Sequence, residues 1–238
     1  MDNARLWPIL MVASALTLVC AVAAGVSASS AASELTRGPT GAELEAAAHR
    51  EVAERWRTWE AGRVFPATLS YSAEQGGRER ARRLGISPHT GCEGAVDDEA
   101  APVLAASGCR AVLRATYIDA LRGVLVTIGV VALPDEGRAV RARSAFPADG
   151  RPVPGLRPLA FAGTVADRFT PEVRQQGSVR QSGPYLVLTT AGQVDGRPAH
   201  AAEQRPTVFA FAAEISERVL ARLSAPRMPD CAAEEWQC

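Results

Sequence analysis

The chain opens with its longest apolar run. Residues Leu6 to Ser33 carry no charged side chain, and the dense part, LWPILMVASALTLVCAVAAGV, covers Leu6 to Val26, 21 residues. As a helix rising ~1.5 Å per residue this run is about 31 Å long, close to the hydrocarbon thickness of a bilayer. Beyond it the pattern becomes amphipathic. SASSAASELTRGPTG reads as a short polar stalk. Thr40, with Glu43 three residues later, forms a capping box. Leu44, Ala48, Val52 and Trp56, with Trp59 beside them, then make the apolar stripe of a helix from about Gly41 to Ala61. RVFPATLSYS, Arg63 to Ser72, predicts a strand, and Pro66 near its start places it at a sheet edge or a bulge. GRERARRLG predicts a short helix stopping at Gly85, and DDEAAPVLAASG predicts another with Gly108 past its end. Pro102 makes that second helix begin late or break.

Two strongly apolar runs follow. CRAVLRATYI alternates, with Cys109, Ala111, Leu113, Ala115 and Tyr117 on one face and Arg110, Val112, Arg114, Thr116 and Ile118 on the other. VLVTIGVVAL, Val124 to Leu133, is apolar on both faces, the mark of a covered central strand. The short DALRG link joins them as an antiparallel hairpin. PDEGRAVRARSAF predicts a helix starting at Pro134 and Asp135. After the Pro- and Gly-rich FPADGRPVPGLRP, the second half reads more weakly in the same order. LAFAG is a strand, VADRFTPEV a helix, SVRQSGPYLVLTTAG a hairpin turning near Gly183, and TVFAFAAEISERVLARLS a firm helix with Phe211, Ile215, Val219 and Leu223 in one stripe. The fold class this predicts is α+β: an N-terminal transmembrane helix, then an antiparallel sheet with helices on one side, readable as a duplicated strand-helix-hairpin-helix unit. The boundaries are 1–5 for a cytoplasmic end, 6–28 for an anchor or signal peptide, 29–40 for the stalk, 41–226 for the domain (halves 41–146 and 158–226), and 227–238 for a tail.

Composition changes this picture in two ways. The 238 residues hold 26 basic and 26 acidic side chains for a net charge of zero. That balance argues against general nucleic-acid binding, which needs a basic surface to release counterions. Every basic residue is Arg, and the cluster Arg78, Arg80, Arg82, Arg83 reads as a solvated helix face. Arg5 and the amino terminus precede the apolar run, which keeps the short end in the cytoplasm and sends the rest across. Val26-Ser27-Ala28 fits a signal-peptidase site, but the run exceeds a typical signal h-region, so an uncleaved anchor is the preferred reading and a secreted chain its alternative. Cys20 follows Val19, where a lipoprotein signal usually places a small residue.

The cysteines follow from export. Cys92, Cys109, Cys231 and Cys238 are an even set in an oxidising compartment, which reads as two disulfides. Proximity favours Cys92–Cys109 and Cys231–Cys238. A zinc site needs four ligands, and His89, Cys92 and Cys109 find no convincing fourth. The C-x-x-C spacing of a redox pair is absent.

Little in the chain points to catalysis. His49 sits on the polar side of a helix, and His89 and His200 lie in loop-like sequence without a motif. There is no G-x-S-x-G elbow, and the lack of Lys excludes both a Walker loop and a serine–lysine pair. Asp97, Asp98 and Glu99 read as helix-start carboxylates that complement the dipole. Trp56 and Trp59, three apart, are a candidate aromatic pair that reads more simply as core. Arg110 and Arg114 share a strand face with Thr116 and are candidate anion contacts, or partners for acidic residues of a covering helix. No catalytic residue, metal ligand or cofactor site is assigned.

The run GCRAVLRATYIDALRGVLVTIGVVALPD, with ERWRTWEAGRVFPATLSY before it, resembles uncharacterised small membrane-anchored or exported proteins of high-GC actinobacteria. The resemblance covers roughly Glu54 to Asp135 and implies an envelope location without bringing a catalytic motif. The expectation is a binding or scaffolding protein of the cell envelope. Its N-terminus is inside and its domain outside, with the membrane and another envelope protein as partners. The alternative is an envelope hydrolase whose site leaves no motif.

Overall fold

The computed structural model describes residues 3–198, 206–227 and 229–230. The chain divides into two compact units, the first spanning 1–45 and the second 46–237.

In the first unit one helix, α1 (Asn3–Thr36), contains the apolar run. Met11–Ser30 is long and apolar enough to cross a membrane, and its Leu16, Leu18, Val19 and Val22 side chains are exposed. A helix apolar all round and covered by nothing is the pattern of a membrane span or a signal sequence. The predicted stalk is therefore mostly helical: α1 runs on to Thr36, and only 37–40 separate it from α2 (Gly41–Thr58). The capping box forms as read. Thr40 N–H donates to Glu43 Oε2 at 2.8 Å and Glu43 N–H donates to Thr40 Oγ1 at 3.3 Å. The Arg37 guanidinium, then Thr40, hold the Glu43 carboxyl well below the usual carboxylate range.

The second unit is α+β. Six strands form one antiparallel sheet in the order β1-β2-β3-β4-β6-β5. They are β1 (Thr68–Ser72), β2 (Arg78–Ile86), β3 (Ala111–Ile118), β4 (Val124–Ala132), β5 (Gln176–Ser182) and β6 (Tyr185–Gln193). All nine residues of β4 are buried, as its two-sided apolarity requires. The β3–β4 hairpin pairs from Ala111↔Ala132 to Ile118↔Leu125, and the β5–β6 hairpin turns at Gly183, whose φ of 52° suits glycine. β1 is the edge strand that Pro66 foretold, though it starts at Thr68 because Ala61–Val64 form a helical turn, α3.

The two sheet faces are covered differently. On the first lie the long helices α2 and α6 (Ala210–Ser224), joining Val52, Ile215 and Val219 to Tyr117, Val126, Ile128 and Val187 in the main core. On the second lie the short helices α4 (Ala101–Ala106) and α5 (Glu136–Arg143) and the 144–175 connection. There Leu104, Ala139 and Leu156 meet Val112, Val131 and Leu186, while Ala166 and Phe169 meet Ile118 and Leu125. Asp135 caps α5 by accepting the Arg138 N–H at 2.8 Å.

Three expectations are corrected. GRERARRLG is a strand rather than a helix: Arg78, Arg80 and Arg82 alternate with the buried Ala81, and pairing to β1 and β3 overrides the helix propensity of Arg and Glu. Gly85 marks a bulge against the Phe161 ring, where a Cβ would clash, instead of ending a helix. LAFAG and VADRFTPEV form turns and one short 3-10 helix, Pro171–Val173, so the second half lacks the strand and helix that a duplicated unit requires. The halves 41–146 and 158–226 share one sheet. β4 of the first pairs along its whole length with β6 of the second, because a strand buried on both faces needs hydrogen-bonded neighbours on both edges. The Pro- and Gly-rich segment between them lies on the sheet, with Leu156 seated over Gly129 where a Cβ would meet its Cδ1 at 2.5 Å.

Candidate functional site: a cleft at the loop end of the sheet

At one end of the sheet the β1–β2 and β3–β4 turns, the residues after β6 and the start of α6 surround a cleft of about 790 Å³. Its floor is apolar: the Tyr71 ring lies 5.1 Å from that of Phe211, with Val124 and Val208 beside them. Its rim is polar, carrying Glu74, Glu79, Asp119 and Asp195 against Arg122 and Arg197. Leu121 stands at the tip of the β3–β4 turn, 82% exposed.

Several rim groups are held in place by the fold. Asp119 Oδ1 accepts the N–H groups of Gly123 and Val124, each at 2.8 Å, and fixes the turn in which Arg122 takes a left-handed φ of 58°. Asp195 pairs with Arg197 at 2.6 Å. Tyr71 Oη donates to Glu79 Oε2 at 2.5 Å and accepts the Ala120 N–H at 3.0 Å. Burial first, and the Glu79 carboxylate second, push the Tyr71 hydroxyl up to about 12. It therefore stays a proton donor at neutral pH. Among the described residues no cysteine or histidine lines the cleft, and Tyr71 is a buried titrating donor in its floor. Among the described residues no group of three His, Cys, Asp or Glu side chains is placed to hold a metal ion.

The residues singled out in the sequence lie elsewhere. Cys92 and Cys109 form a disulfide with Cα atoms 6.3 Å apart, on the second face beside Leu104 and Val112. Cys231, Cys238 and His200 lie outside the described residues. Cys20 is a free, exposed thiol on α1. Arg110 is exposed where β3 begins. Arg114 is half-buried, and its Nε is enclosed without a hydrogen-bond partner among the described residues. Burial lowers its pKa and the nearby Arg157 lowers it further. The two candidate anion contacts thus differ in setting, and among the described residues no acidic side chain pairs with Arg114. Asp98 and Asp97 serve Arg157 instead, at 2.8 and 3.8 Å. His49 and His89 are exposed.

Three arrangements were missed in the sequence. Asp97 does not complement a helix dipole; it is buried, accepting Arg174 Nη1 at 2.7 Å and Gly155 N–H at 2.8 Å, and it ties the 144–175 connection to the second face. Arg55, fully buried, donates through Nη1 to the carbonyls of Leu223 and Ala225 at 2.9 and 2.8 Å and caps the C-terminus of α6. Its one signal was Glu51 four residues earlier, which pairs with it at 2.5 Å. Trp59 is stacked by the Arg63 and Arg55 guanidiniums at 4.0 and 4.8 Å, which occupies its ring. Comparison with known protein families, curated protein sequences and solved structures gives no match for this chain.

Proposed function

We propose that the chain is a single-pass membrane protein of the cell envelope. It holds a disulfide-stapled α+β domain outside the cytoplasm, and that domain binds a ligand or partner at the loop-end cleft. The observation that carries this reading is the pairing of an exposed, uncharged helix at Met11–Ser30 with a closed Cys92–Cys109 disulfide in the unit that follows it. Structural disulfides persist in oxidising compartments and are rare in the cytosol. The cleft supports binding over scaffolding alone, because it joins an apolar aromatic floor to a few fixed polar groups, the usual composition of a ligand site.

The test is the intact mass of the membrane-extracted protein after thiol labelling, with and without reduction. A full-length mass with label only on Cys20 before reduction supports an anchored outer domain. A mass beginning near Ser29 means that Val26-Ser27-Ala28 is cut and the domain released. Label on Cys92 or Cys109 before reduction contradicts the oxidising location.

A further inference from the structure

The cluster Arg78, Arg80, Arg82, Arg83 is resolved by the strand into one inward and three outward arginines. Arg83 turns toward Phe65 O, on the first-face side. Arg78, Arg80 and Arg82 project from the second face of β2 and are exposed. Opposite them in register stand Ser72, Ser70 and Thr68 of β1. Alternate residues on one strand face lie about 6.6–6.8 Å apart, so the three guanidiniums form a straight row backed by a row of hydroxyls. None of the three guanidiniums has a hydrogen bond or ion pair among the described residues, and no carboxylate of the hairpin itself shares their face; at the Arg78 end Glu214 of α6 accepts the Ser72 N–H at 2.7 Å. The helices and the 144–175 connection that cover the second face stop short of this hairpin, since their clusters reach only Leu84 and Ile118. A flat, uncovered sheet face carrying three unpaired positive charges complements a flat anionic surface.

The occupant follows from the tether. Between Ser30, where the membrane-length window ends, and Gly41, where α2 starts, lie the ten residues Ala31 to Thr40. Even fully extended they span at most about 35 Å, which keeps the domain within reach of the bilayer and raises the effective concentration of headgroups around it. Chain neutrality and an outer location both speak against nucleic acid as the anion. Resting on the membrane-anchored reading above, we infer that the second face of the β1–β2 hairpin docks on anionic phospholipid headgroups. Arg78, Arg80 and Arg82 contact the phosphates, and Ser70 adds a hydroxyl donor. This surface is separate from the loop-end cleft, where Tyr71 and Phe211 form the floor.

The test uses the full chain in vesicles of zwitterionic lipid, with or without about one third anionic phosphatidylglycerol. An arginine-selective dicarbonyl reagent is added outside, and modification is mapped by mass spectrometry. Arg78, Arg80 and Arg82 should react about three- to fivefold more slowly on anionic vesicles, with high salt restoring the rate, while exposed Arg110 and Arg143 keep theirs. Arg80→Glu should return Arg78 and Arg82 to the zwitterionic rate. Equal rates on the two vesicles, or equal slowing at Arg110 and Arg143, would overturn the inference. Protection of the stripe by inorganic phosphate on zwitterionic vesicles would also overturn it, replacing a lipid surface with a small-anion site. Each preparation is washed at alkaline pH beforehand. A chain that washes off the vesicles removes the membrane-anchored reading and this inference together, whereas a retained chain with equal rates removes this inference alone.

Discussion

The β3–β4 and β1–β2 hairpins are neighbours in one antiparallel sheet, yet different forces hold them. Every residue of β4 is buried, whereas Ala81 alone is buried in β2. β4 is sandwiched between α6 on one face and Leu156 and α5 on the other. The β1–β2 hairpin offers the core a single face through Leu69, Tyr71 and Ala81, and its other face carries three arginines with Thr68 and Ser70 opposite two of them. The difference separates two reasons for being a strand. β4 is a strand by its own burial. β2 is one because β3 has a free edge to pair, and because every second residue of β2 can face water without cost. On this view the first hairpin is where stability resides, and the second is free to carry a surface chemistry.

The sharpest way to break that contrast is to weaken β4. Ile128 is fully buried in the main core, opposite Ala115 and Thr189. Ile128→Ala removes three methyl or methylene groups and leaves a cavity, so unfolding free energy should fall by about 3 kcal/mol, within the 2–5 kcal/mol range of such core truncations. Urea denaturation followed by circular dichroism reads this directly. A loss below about 1 kcal/mol would mean that β4 is not the stability centre.

Next in size is the disulfide. Cys92 and Cys109 are 17 residues apart in sequence and staple the approach to α4 onto the start of β3. Closing a loop of this length stabilises by roughly 3 kcal/mol in the chain-entropy account, and measured values often fall below it. The double variant Cys92→Ala with Cys109→Ala should therefore lose about 2–3 kcal/mol. Part of that loss should appear as faster proteolysis within the 87–110 segment, while β1–β2 stays protected. Equal loosening of both hairpins would show that the staple acts on the whole sheet.

A pH titration sharpens the comparison from the inner side. The three tyrosines, Tyr71 on β1, Tyr117 on β3 and Tyr185 on β6, all face the main core. Burial raises the hydroxyls of Tyr117 and Tyr185 well above the ordinary tyrosine range, and Tyr71 is raised to about 12 by burial and by Glu79. The folded state thus holds the Tyr71 proton more tightly than the unfolded chain does. The stabilisation is complete below pH 10 and is lost as pH climbs through 12. Ultraviolet difference spectroscopy should show almost no tyrosinate at pH 10, where an exposed tyrosine is half ionised. A one-tyrosine step near pH 10 that Tyr71→Phe abolishes would mark β1–β2 as loosely held even on its inner face.

What the sequence made legible follows the same division. The β3–β4 hairpin, the β5–β6 turn at Gly183, the α6 stripe and the Thr40–Glu43 cap were readable because apolar periodicity or a local hydrogen bond specifies each. β2 was misread because Arg, Glu, Ala and Leu favour a helix in isolation, and its partners lie far away in sequence. The alternation Arg78, Arg80, Arg82 around Ala81 was the available signal of period two. The second-face connection was misread for a related reason. Asp97 looked like a helix-start carboxylate, and only the fold brings Arg174, 77 residues on, into contact with it. The cleft was invisible as a unit, since Tyr71, Asp119, Asp195 and Phe211 come from four separated segments and share no motif.

The smallest expected effect tests the other half of the comparison. Arg80 is exposed, has no partner among the described residues and lies opposite Ser70 rather than a carboxylate. Its truncation removes no burial and orphans no buried group. Arg80→Ala should therefore change unfolding free energy by less than about 0.5 kcal/mol, the usual range for surface positions away from caps and ion pairs. Relief of repulsion from Arg78 and Arg82, each two residues away on the same face, biases the sign toward slight stabilisation at low salt, and added salt should erase that gain. The measurement is the urea midpoint of the variant at low and at high ionic strength. A loss above about 1 kcal/mol would show that the arginine row holds the hairpin itself. The contrast with β4 would then become one of degree, and the row would no longer be a surface kept apart from stability.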